Sequence, residues 1–192
     1  AAMAGSTAIR ITISTEDLSR DNLSQFLSEI GSSYGHPEGL FLPETYHFPR
    51  GTRDTEVLRQ AYDLMQATLD EEWALRDPGV PFADPYEALI LASIVEKETA
   101  RADERARIAG VFVRRLQQRM RLQTDPTVIY GIGDRFDGNL TRSDLQTDTP
   151  YNTYTRGGLP PTPIAMPGRE AIKAVLHPEP GKALYFVATG LG

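Results

Sequence analysis

The segment Tyr86–Arg101, YEALILASIVEKETAR, constrains the fold most, because an apolar run changes abruptly into charged residues at Glu96. Read at helical period, one stripe carries Leu89, Ala92, Ser93, Glu96, Thr99 and Ala100. Desolvation at the end of an apolar helix raises the pKa of a carboxyl group toward the value that a general acid needs. The segment therefore predicts a central helix that presents Glu96 among small neighbours. A solvated helix end is the alternative interpretation of both of its late glutamates.

Glu98 differs from Glu96 in its predicted surroundings. Arg101 follows three residues later, and residues at this spacing pair on a helix surface. We therefore expect Glu98 to be ionised at neutral pH and to be the poorer acid of the two.

Composition limits the class of protein. The 192 residues carry a net charge of −6, which disfavours a generic electrostatic grip on nucleic acid. There is no cysteine, which excludes disulfides, thiolate metal sites and cysteine nucleophiles. No His-x-x-x-His pair or Gly-x-Ser-x-Gly elbow occurs, so the sequence predicts neither a zinc site nor a serine hydrolase. We expect no metal and no organic cofactor.

Hydrophobic patterns predict an α+β fold of mixed helices and short strands. Strands are predicted at Ala8–Ile13 and Leu184–Ala188, with short extended pieces in Leu40–Phe48 and a β-prone piece at Thr127–Tyr130. Besides the central helix, helices are predicted at Glu16–Ile30, Thr55–Leu75, Asp103–Met120 and Arg169–Leu176. The apolar stripe of the second of these, which includes Leu64, is predicted to be core. The arginines of Asp103–Met120 are predicted to face water.

The polar and aromatic region from Arg121 to Gly168 is long for a compact domain, and such stretches are usually functional or disordered. In LQTDP, an extended backbone would present Gln123 and Asp125 on one side; a turn before Pro126 is the alternative.

The aromatic part of the same region is PYNTY. Tyr151, Asn152 and Tyr154 have the side chains that stack on sugars and bind their hydroxyl and acetamido groups; a core tyrosine pair with a structural Asn is the alternative. The proline-rich stretch Gly157–Gly168 could form the wall of a groove or a connection.

Six ordered blocks together resemble the YceG-like (MltG) endolytic murein transglycosylases. They are EGLFLPETYHF from Glu38, ASIVEKET from Ala92, RLQTDPTVIYG from Arg121, LTRSDL from Leu140, PYNTY from Pro150 and GLPPTPIAMPG from Gly158. The blocks lie within residues 38 to 188. Two local departures are Thr162, where the family commonly has Gly, and Met166, where it commonly has Asn.

The resemblance implies cleavage of the MurNAc-β-1,4-GlcNAc bond within peptidoglycan strands, leaving a 1,6-anhydro-MurNAc end. It implies that the catalytic glutamate falls on Glu96, at the back of a glycan-binding groove. Gln123, Asp125, Tyr151, Asn152 and Tyr154 are the implied substrate-binding residues. Because the sugar's own hydroxyl is the nucleophile, one carboxyl group suffices, and Glu98, Asp125 and Glu44 are candidates for electrostatic support only.

The resemblance also implies an organisation. Residues 1–37 are expected to be a lead-in, with Ala1–Ser6 as a cloning remnant and the rest a remnant or replacement of a LysM-like module. Residues 38–192 are expected to be the catalytic domain, ending earlier than the family does. No membrane-spanning run or signal peptide occurs in this sequence. The full-length protein is expected to be anchored in the bacterial inner membrane by one helix, with the domain in the periplasm. Peptidoglycan strands, and also peptidoglycan synthases, are the expected partners.

Two other functions remain open on the sequence. One is a non-catalytic peptidoglycan-binding or scaffold module. The other is a lysozyme-like muramidase that hydrolyses the same bond with Asp125 as the second carboxylate.

Overall fold

The computed structural model describes residues 7–9 and 20–186. The strands are β1 (Thr7–Ile9) and β2 (Tyr46–Phe48), which pair antiparallel with Ala8 opposite His47. The helices are α1 (Arg20–Glu29), α2 (Asp54–Leu75), α3 (Pro85–Glu98), α4 (Ala102–Gln117), α5 (Asp125–Ile132), α6 (Arg142–Gln146) and α7 (Arg169–Leu176), with a 3₁₀ turn at Gly133–Arg135.

The described part of the chain is mostly helical, so the α+β prediction is confirmed only in part. The piece Thr127–Tyr130, predicted to be β-prone, lies inside α5. Residues 184–186 of the predicted last strand form no strand, and residues 187–188 lie outside the described residues. The predicted strand Ala8–Ile13 and helix Glu16–Ile30 are described only in part, as β1 and α1.

Helix α3 is the centre of the core. Asp84 caps its first turn by accepting a 3.0 Å hydrogen bond from the Glu87 backbone N–H, and Pro85 provides the fixed φ of a first helical residue. All residues from Ala88 to Val95 are buried, as expected for a helix that is apolar on every side. The burial ends at Glu96, so the polar end of α3 is where charged side chains emerge.

Helix α7 packs against α2, α3 and α4 and closes the core around them. Its contact with α2 includes a salt bridge from Arg169 to Glu71 and to the buried Glu72, the latter at 2.7 Å. Leu64, predicted to be core, is 41% exposed on the outer side of α2. The bounds predicted for α2 and α7 agree with the structure to within a residue.

Helix α3 ends earlier than predicted. Thr99 is extended, with φ −147° and ψ 134°, and its backbone N–H makes the last hydrogen bond, to the Val95 carbonyl. Arg101 therefore lies outside α3 and directs its guanidinium to Asp103 at 2.7 Å and Glu104 at 3.1 Å. The predicted Glu98–Arg101 pair was wrong for this reason.

Candidate active site

The carboxyl group of Glu98 is half-buried at the end of α3 and contacts the start of α5. Thr124 donates a 2.7 Å hydrogen bond from its hydroxyl to Oε2 of Glu98. Burial raises the pKa of Glu98, the Thr124 hydrogen bond lowers it, and the negative charge of Asp125 raises it further. Glu98 is therefore half-buried and bonded to Thr124, whereas the sequence predicted a surface carboxylate paired with Arg101.

A tyrosine completes this group of side chains. The Tyr154 hydroxyl donates a 2.5 Å hydrogen bond to Oδ1 of Asp125. Burial raises the pKa of Tyr154, as do its bond to Asp125 and the charge of Glu98. We refer to Glu98, Thr124, Asp125 and Tyr154 as the Glu98 cluster. It joins a half-buried acid, a hydroxyl donor and an exposed carboxylate.

The turn before α5 brings Thr124 to this position. Gln123 has φ +51°, a left-handed conformation that is uncommon outside glycine, and its N–H bonds the Thr153 carbonyl at 3.1 Å. The Thr124 N–H bonds the hydroxyl of Thr153 at 3.1 Å. Of the two interpretations of LQTDP, the extended segment that presents Gln123 and Asp125 together was wrong. The alternative of a turn before Pro126 fits better, because Gln123 turns the chain and Asp125 begins a helix. The side chain of Gln123 is exposed beside the cluster.

Asn152 is 1% exposed and holds the surrounding loop together. Its Nδ2 donates to the carbonyls of Asp144, Leu145 and Thr147, which end helix α6, at 2.7 to 3.3 Å. Its Oδ1 accepts from the N–H groups of Tyr154 and Thr155. The amide's hydrogen-bonding capacity is thus filled by backbone. The structural interpretation of this Asn fits the geometry, and no atom is left to bind a sugar directly.

Tyr151 belongs to a different group of side chains. Its hydroxyl shares a 2.9 Å hydrogen bond with Thr162, and its ring packs edge-on against Tyr130 with 4.8 Å between ring centres. Tyr130 also bonds Glu38, whose pKa is raised by burial and lowered by that bond and by the charge of Lys97. Sequence reasoning gave no role to Thr124, Glu38 or Tyr130.

Glu96 lies against the loop that leads into α7. Its Oε2 accepts a 3.1 Å hydrogen bond from the Gly168 N–H, at the N-cap of α7. One turn earlier, the Ser93 hydroxyl accepts from the Ile164 N–H at 2.9 Å and donates to the Ile90 carbonyl. Negative charge is stabilised at a helix N-terminus, so this contact fastens the loop to α3. The stripe of Ser93 and Glu96 faces the proline-rich loop, whereas Thr124 bonds Glu98.

Glu44 precedes β2 on an exposed segment, where its backbone N–H bonds the Leu42 carbonyl at 3.0 Å. Burial raises the pKa of Tyr46 to about 12, and the charge of Glu44 contributes. The hydrogen bonds and ion pairs of the described residues do not join Glu44 to the Glu98 cluster. Over the same residues, no group of His, Asp or Glu has the arrangement of a metal site. Within the described part of the chain, no helix has both the length and the apolar character needed to span a membrane.

The model of the YceG-like family matches residues 3–192. The chain belongs to the YceG-like family. It is 38% identical over 158 residues to a Bacillus subtilis protein named endolytic murein transglycosylase, and 33% identical over 158 residues to one of that name from Streptococcus pneumoniae. These alignments cover 82% and 79% of this chain but 43% and 28% of the relatives. The chain thus spans less than half the length of these relatives.

A solved structure supports the same conclusion at the level of the fold. A crystal structure of a YceG-like protein from Listeria monocytogenes superimposes with a TM-score of 0.70 at 33% identity, covering 87% of this chain and 58% of that one. The resemblance inferred from the six blocks is confirmed.

Three of the YceG-like blocks meet at the Glu98 cluster. Glu98 comes from the block starting at Ala92, Thr124 and Asp125 from the block starting at Arg121, and Tyr154 from PYNTY. The residues that the sequence predicted as a site are thus divided. Glu98, Asp125 and Tyr154 are together, whereas Glu96 and Tyr151 make their contacts elsewhere. Asn152 bonds backbone groups, including the N–H of Tyr154.

Proposed function

We propose that this chain is the catalytic part of an endolytic peptidoglycan lytic transglycosylase. It would cleave the MurNAc-β-1,4-GlcNAc bond within glycan strands and leave a 1,6-anhydro-MurNAc end. The names of its relatives support the substrate class, and the Glu98 cluster supports acid-base chemistry at one glutamate. No metal or organic cofactor enters this reaction.

The half-buried carboxyl group of Glu98 carries the proposal. A general acid must hold its proton at the working pH and still reach the substrate. Burial and the Asp125 charge raise the pKa of Glu98 toward that range, and a half-buried side chain keeps one side open. Perturbed carboxyl groups with a specific partner are frequent at functional sites.

The family resemblance pointed to Glu96, and the geometry favours its neighbour Glu98. Oε2 of Glu96 is engaged by the first turn of α7, in the setting of a structural anchor. Glu98 was expected to be the poorer acid because Arg101 would pair with it on a continuous helix. In the structure α3 ends before Arg101, and Arg101 pairs with Asp103. We therefore assign the acid-base role to Glu98 and the role of holding the loop 164–168 to Glu96.

The proposed reaction conserves protons and consumes no water. Glu98 donates its proton to the glycosidic oxygen as the C1–O bond of MurNAc breaks and positive charge develops on the ring. The resulting carboxylate accepts the proton of the MurNAc 6-hydroxyl while that oxygen bonds to C1. The acid is thereby restored, and Thr124 steadies the carboxylate in its charged form.

Substrate would lie across the exposed side of the cluster, in a glycan-binding groove walled by the region from Arg121 to Gly168. Asp125, Tyr154 and the exposed Gln123 are the proposed direct contacts, and Tyr151 would offer its ring edge further along. Asn152 supports them indirectly by shaping the loop. A cavity of about 510 Å³ lies at the other end of α3, between Tyr86 and the loop 158–161. It is distinct from the Glu98 cluster.

The cellular setting is proposed from the family alone. The full-length protein would be held in the bacterial inner membrane by a single N-terminal helix, with this domain in the periplasm. Glycan strands would be its substrate and peptidoglycan synthases its neighbours in wall assembly.

Hydrolysis is the second candidate, because Asp125 is close enough to Glu98 to act on its pKa. A second carboxylate could activate water and give a reducing end. Digestion of purified sacculi with the protein, followed by mass spectrometry, distinguishes the reactions. We expect internal cleavage with anhydro ends. Reducing ends would indicate a muramidase, and absence of cleavage would indicate a binding module.

A further inference from the structure

Arg115, predicted to face water, is only 6% exposed on helix α4. Its guanidinium donates to backbone carbonyls: Nη1 to Leu122 at 2.7 Å and to Arg121 at 3.3 Å, and Nε to Leu184 at 2.7 Å. Burying a charged group is costly unless it is hydrogen-bonded, and here three backbone carbonyls accept from Nε and Nη1. A surface arginine would need no such arrangement.

The carbonyls on one side belong to a strained turn. Arg119 and Gln123 both have positive φ, at +56° and +51°. This backbone conformation is unfavourable for residues other than glycine and persists where the surrounding contacts fix it. Arg115 holds the two carbonyls directly before Gln123, and its own carbonyl accepts from the Met120 N–H at 2.8 Å. Thr124, the partner of Glu98, follows at once.

The carbonyl on the other side belongs to the segment 179–186, which is seated on α4. The Glu179 N–H bonds the Ala106 carbonyl at 3.0 Å, and Arg114 donates to the carbonyls of Glu179 and Ala183. A Cβ on Gly110 would approach the Glu179 oxygen to 2.5 Å, so only glycine permits this contact.

Aromatic side chains also hold the segment 179–186 against α4. The Arg115 guanidinium covers the Tyr185 ring at 4.6 Å, and Phe186 packs edge-on against Phe112. The segment 179–186 is thus fastened to α4 along its length.

We propose that Arg115 is a positioning residue for catalysis, tying the segment 179–186 to the turn before α5 so that Thr124 and Asp125 stay against Glu98. This inference rests on the proposed function, because the effect is read at the Glu98 cluster. Arg115 supplies a planar fork that reaches carbonyls in two directions, which a lysine ammonium does not reproduce. Loss of the Arg115 guanidinium frees the turn before α5, and Thr124 is then no longer held against Glu98.

The matched comparison is Arg115→Met against Arg114→Met. Both remove a guanidinium from α4 that holds the segment 179–186, but only Arg115 also holds Leu122. With melting temperatures close to the parent's, we expect Arg115→Met to lower kcat by about ten- to a hundredfold, the scale of a small misplacement. Arg114→Met should keep kcat near the parent's.

The pH profile of kcat separates positioning from general damage. Glu98 must be protonated to act, so activity falls as pH rises through its pKa. Burial is the largest cause raising that pKa, and the facing groups are Thr124, Asp125 and Tyr154. A freed turn exposes Glu98 to water and also takes the Thr124 hydrogen bond away from it. Because burial affects the pKa of Glu98 more than that bond does, the alkaline limb of Arg115→Met should move to lower pH. If the alkaline limb lies at the same pH in the parent, Arg115→Met and Arg114→Met, the proposal is overturned.

Backbone hydrogen exchange tests the same link without any substrate. The amides of Gln123 and Thr124, both bonded to Thr153, should exchange faster in Arg115→Met than in the parent or Arg114→Met. Unchanged exchange overturns the positioning role, whatever the activity. If the amides exchange faster in Arg115→Met but the parent protein cleaves no peptidoglycan, the positioning role of Arg115 is supported and the proposed function is rejected. If Arg115→Met unfolds, Arg115→Lys takes its place in both measurements.

Discussion

The hydroxyl of Thr124 donates a 2.7 Å hydrogen bond to Oε2 of Glu98, joining the start of α5 to the end of α3. Thr124 is 3% exposed, so the bond is protected from solvent. It is the contact through which the turn after Met120 acts on the proposed acid.

Replacing Thr124 by Val tests this contact with little change of volume. A hydrogen bond to the charged form of a carboxyl group lowers its pKa, so its loss should raise the pKa of Glu98. We expect the alkaline limb of the pH–kcat profile to move to higher pH, with a lower kcat because the carboxylate formed during the reaction loses a donor. Thr68→Val, at a buried threonine of α2, is the control and should leave the limb where it is. An unmoved limb in Thr124→Val would mean that this bond does not act on the catalytic group.

Replacing Asn152 by Ala should destabilise the fold. The substitution leaves the carbonyls at the end of α6 and the N–H groups of Tyr154 and Thr155 without their partner. Buried polar groups left unpaired cost about 1–3 kcal/mol. For a chain of this length that lowers the melting temperature by roughly 2–12 °C. Asn139, which is exposed, provides the control in Asn139→Ala. Equal melting temperatures for the two variants, with turnover lost only in Asn152→Ala, would restore a direct role for Asn152 in binding sugar.

Replacing Glu98 by Gln should stabilise the protein at neutral pH. Because folding raises the pKa of Glu98, the contribution of Glu98 to stability is fully present below the unfolded pKa of about 4.3 and is lost as pH rises through the folded pKa. Gln does not titrate. The melting temperature of Glu98→Gln minus that of the parent should therefore increase from pH 4 upward and then level off.

The control for this pH dependence has the opposite sign. Hydrogen bonds from Arg53 lower the pKa of Glu56, so its contribution to stability is present above the unfolded pKa and is lost as pH falls. Glu56→Gln should thus lose a little stability at neutral pH. A difference between Glu98→Gln and the parent that does not change with pH would mean that Glu98 titrates normally.

Periodicity was enough to predict the helices that pack on one face. The apolar spacing in Val57–Leu69 and Ala171–Leu176 predicted α2 and α7 nearly to the residue. A helix that is buried on one side has apolar residues at regular helical intervals, so its extent can be read from the local sequence. The same spacing could not show where α3 stops. The change to extended backbone at Thr99 removed the pairing of Arg101 with Glu98, and the ranking of the two glutamates depended on it.

The remaining errors come from side-chain contacts that hydrophobic spacing does not encode. The bond from Thr124 to Glu98 joins residues 26 apart in the chain, and no local pattern encodes it. Arg115 has the charge of a surface residue and is buried, because the carbonyls of Leu122, before α5, and of Leu184, 69 residues along the chain, accept from its guanidinium. Asn152 has the chemistry of a sugar ligand and uses all of it on backbone. In each case the residue type was visible in the sequence and its partner was not.

The most direct test of this account compares the cleavage rates of Glu98→Gln and Glu96→Gln on purified sacculi, with anhydro-muropeptides measured by mass spectrometry. Gln is nearly isosteric with Glu and cannot pass a proton, and general acid-base catalysis contributes about a hundred- to ten-thousandfold. The melting temperature of each variant should be close to that of the parent or higher. We predict that Glu98→Gln loses cleavage by at least about a hundredfold, while Glu96→Gln, which can still accept the Gly168 N–H, retains most of it. Loss of cleavage in Glu96→Gln with near-parent rates in Glu98→Gln would contradict the account and return the catalytic role to Glu96.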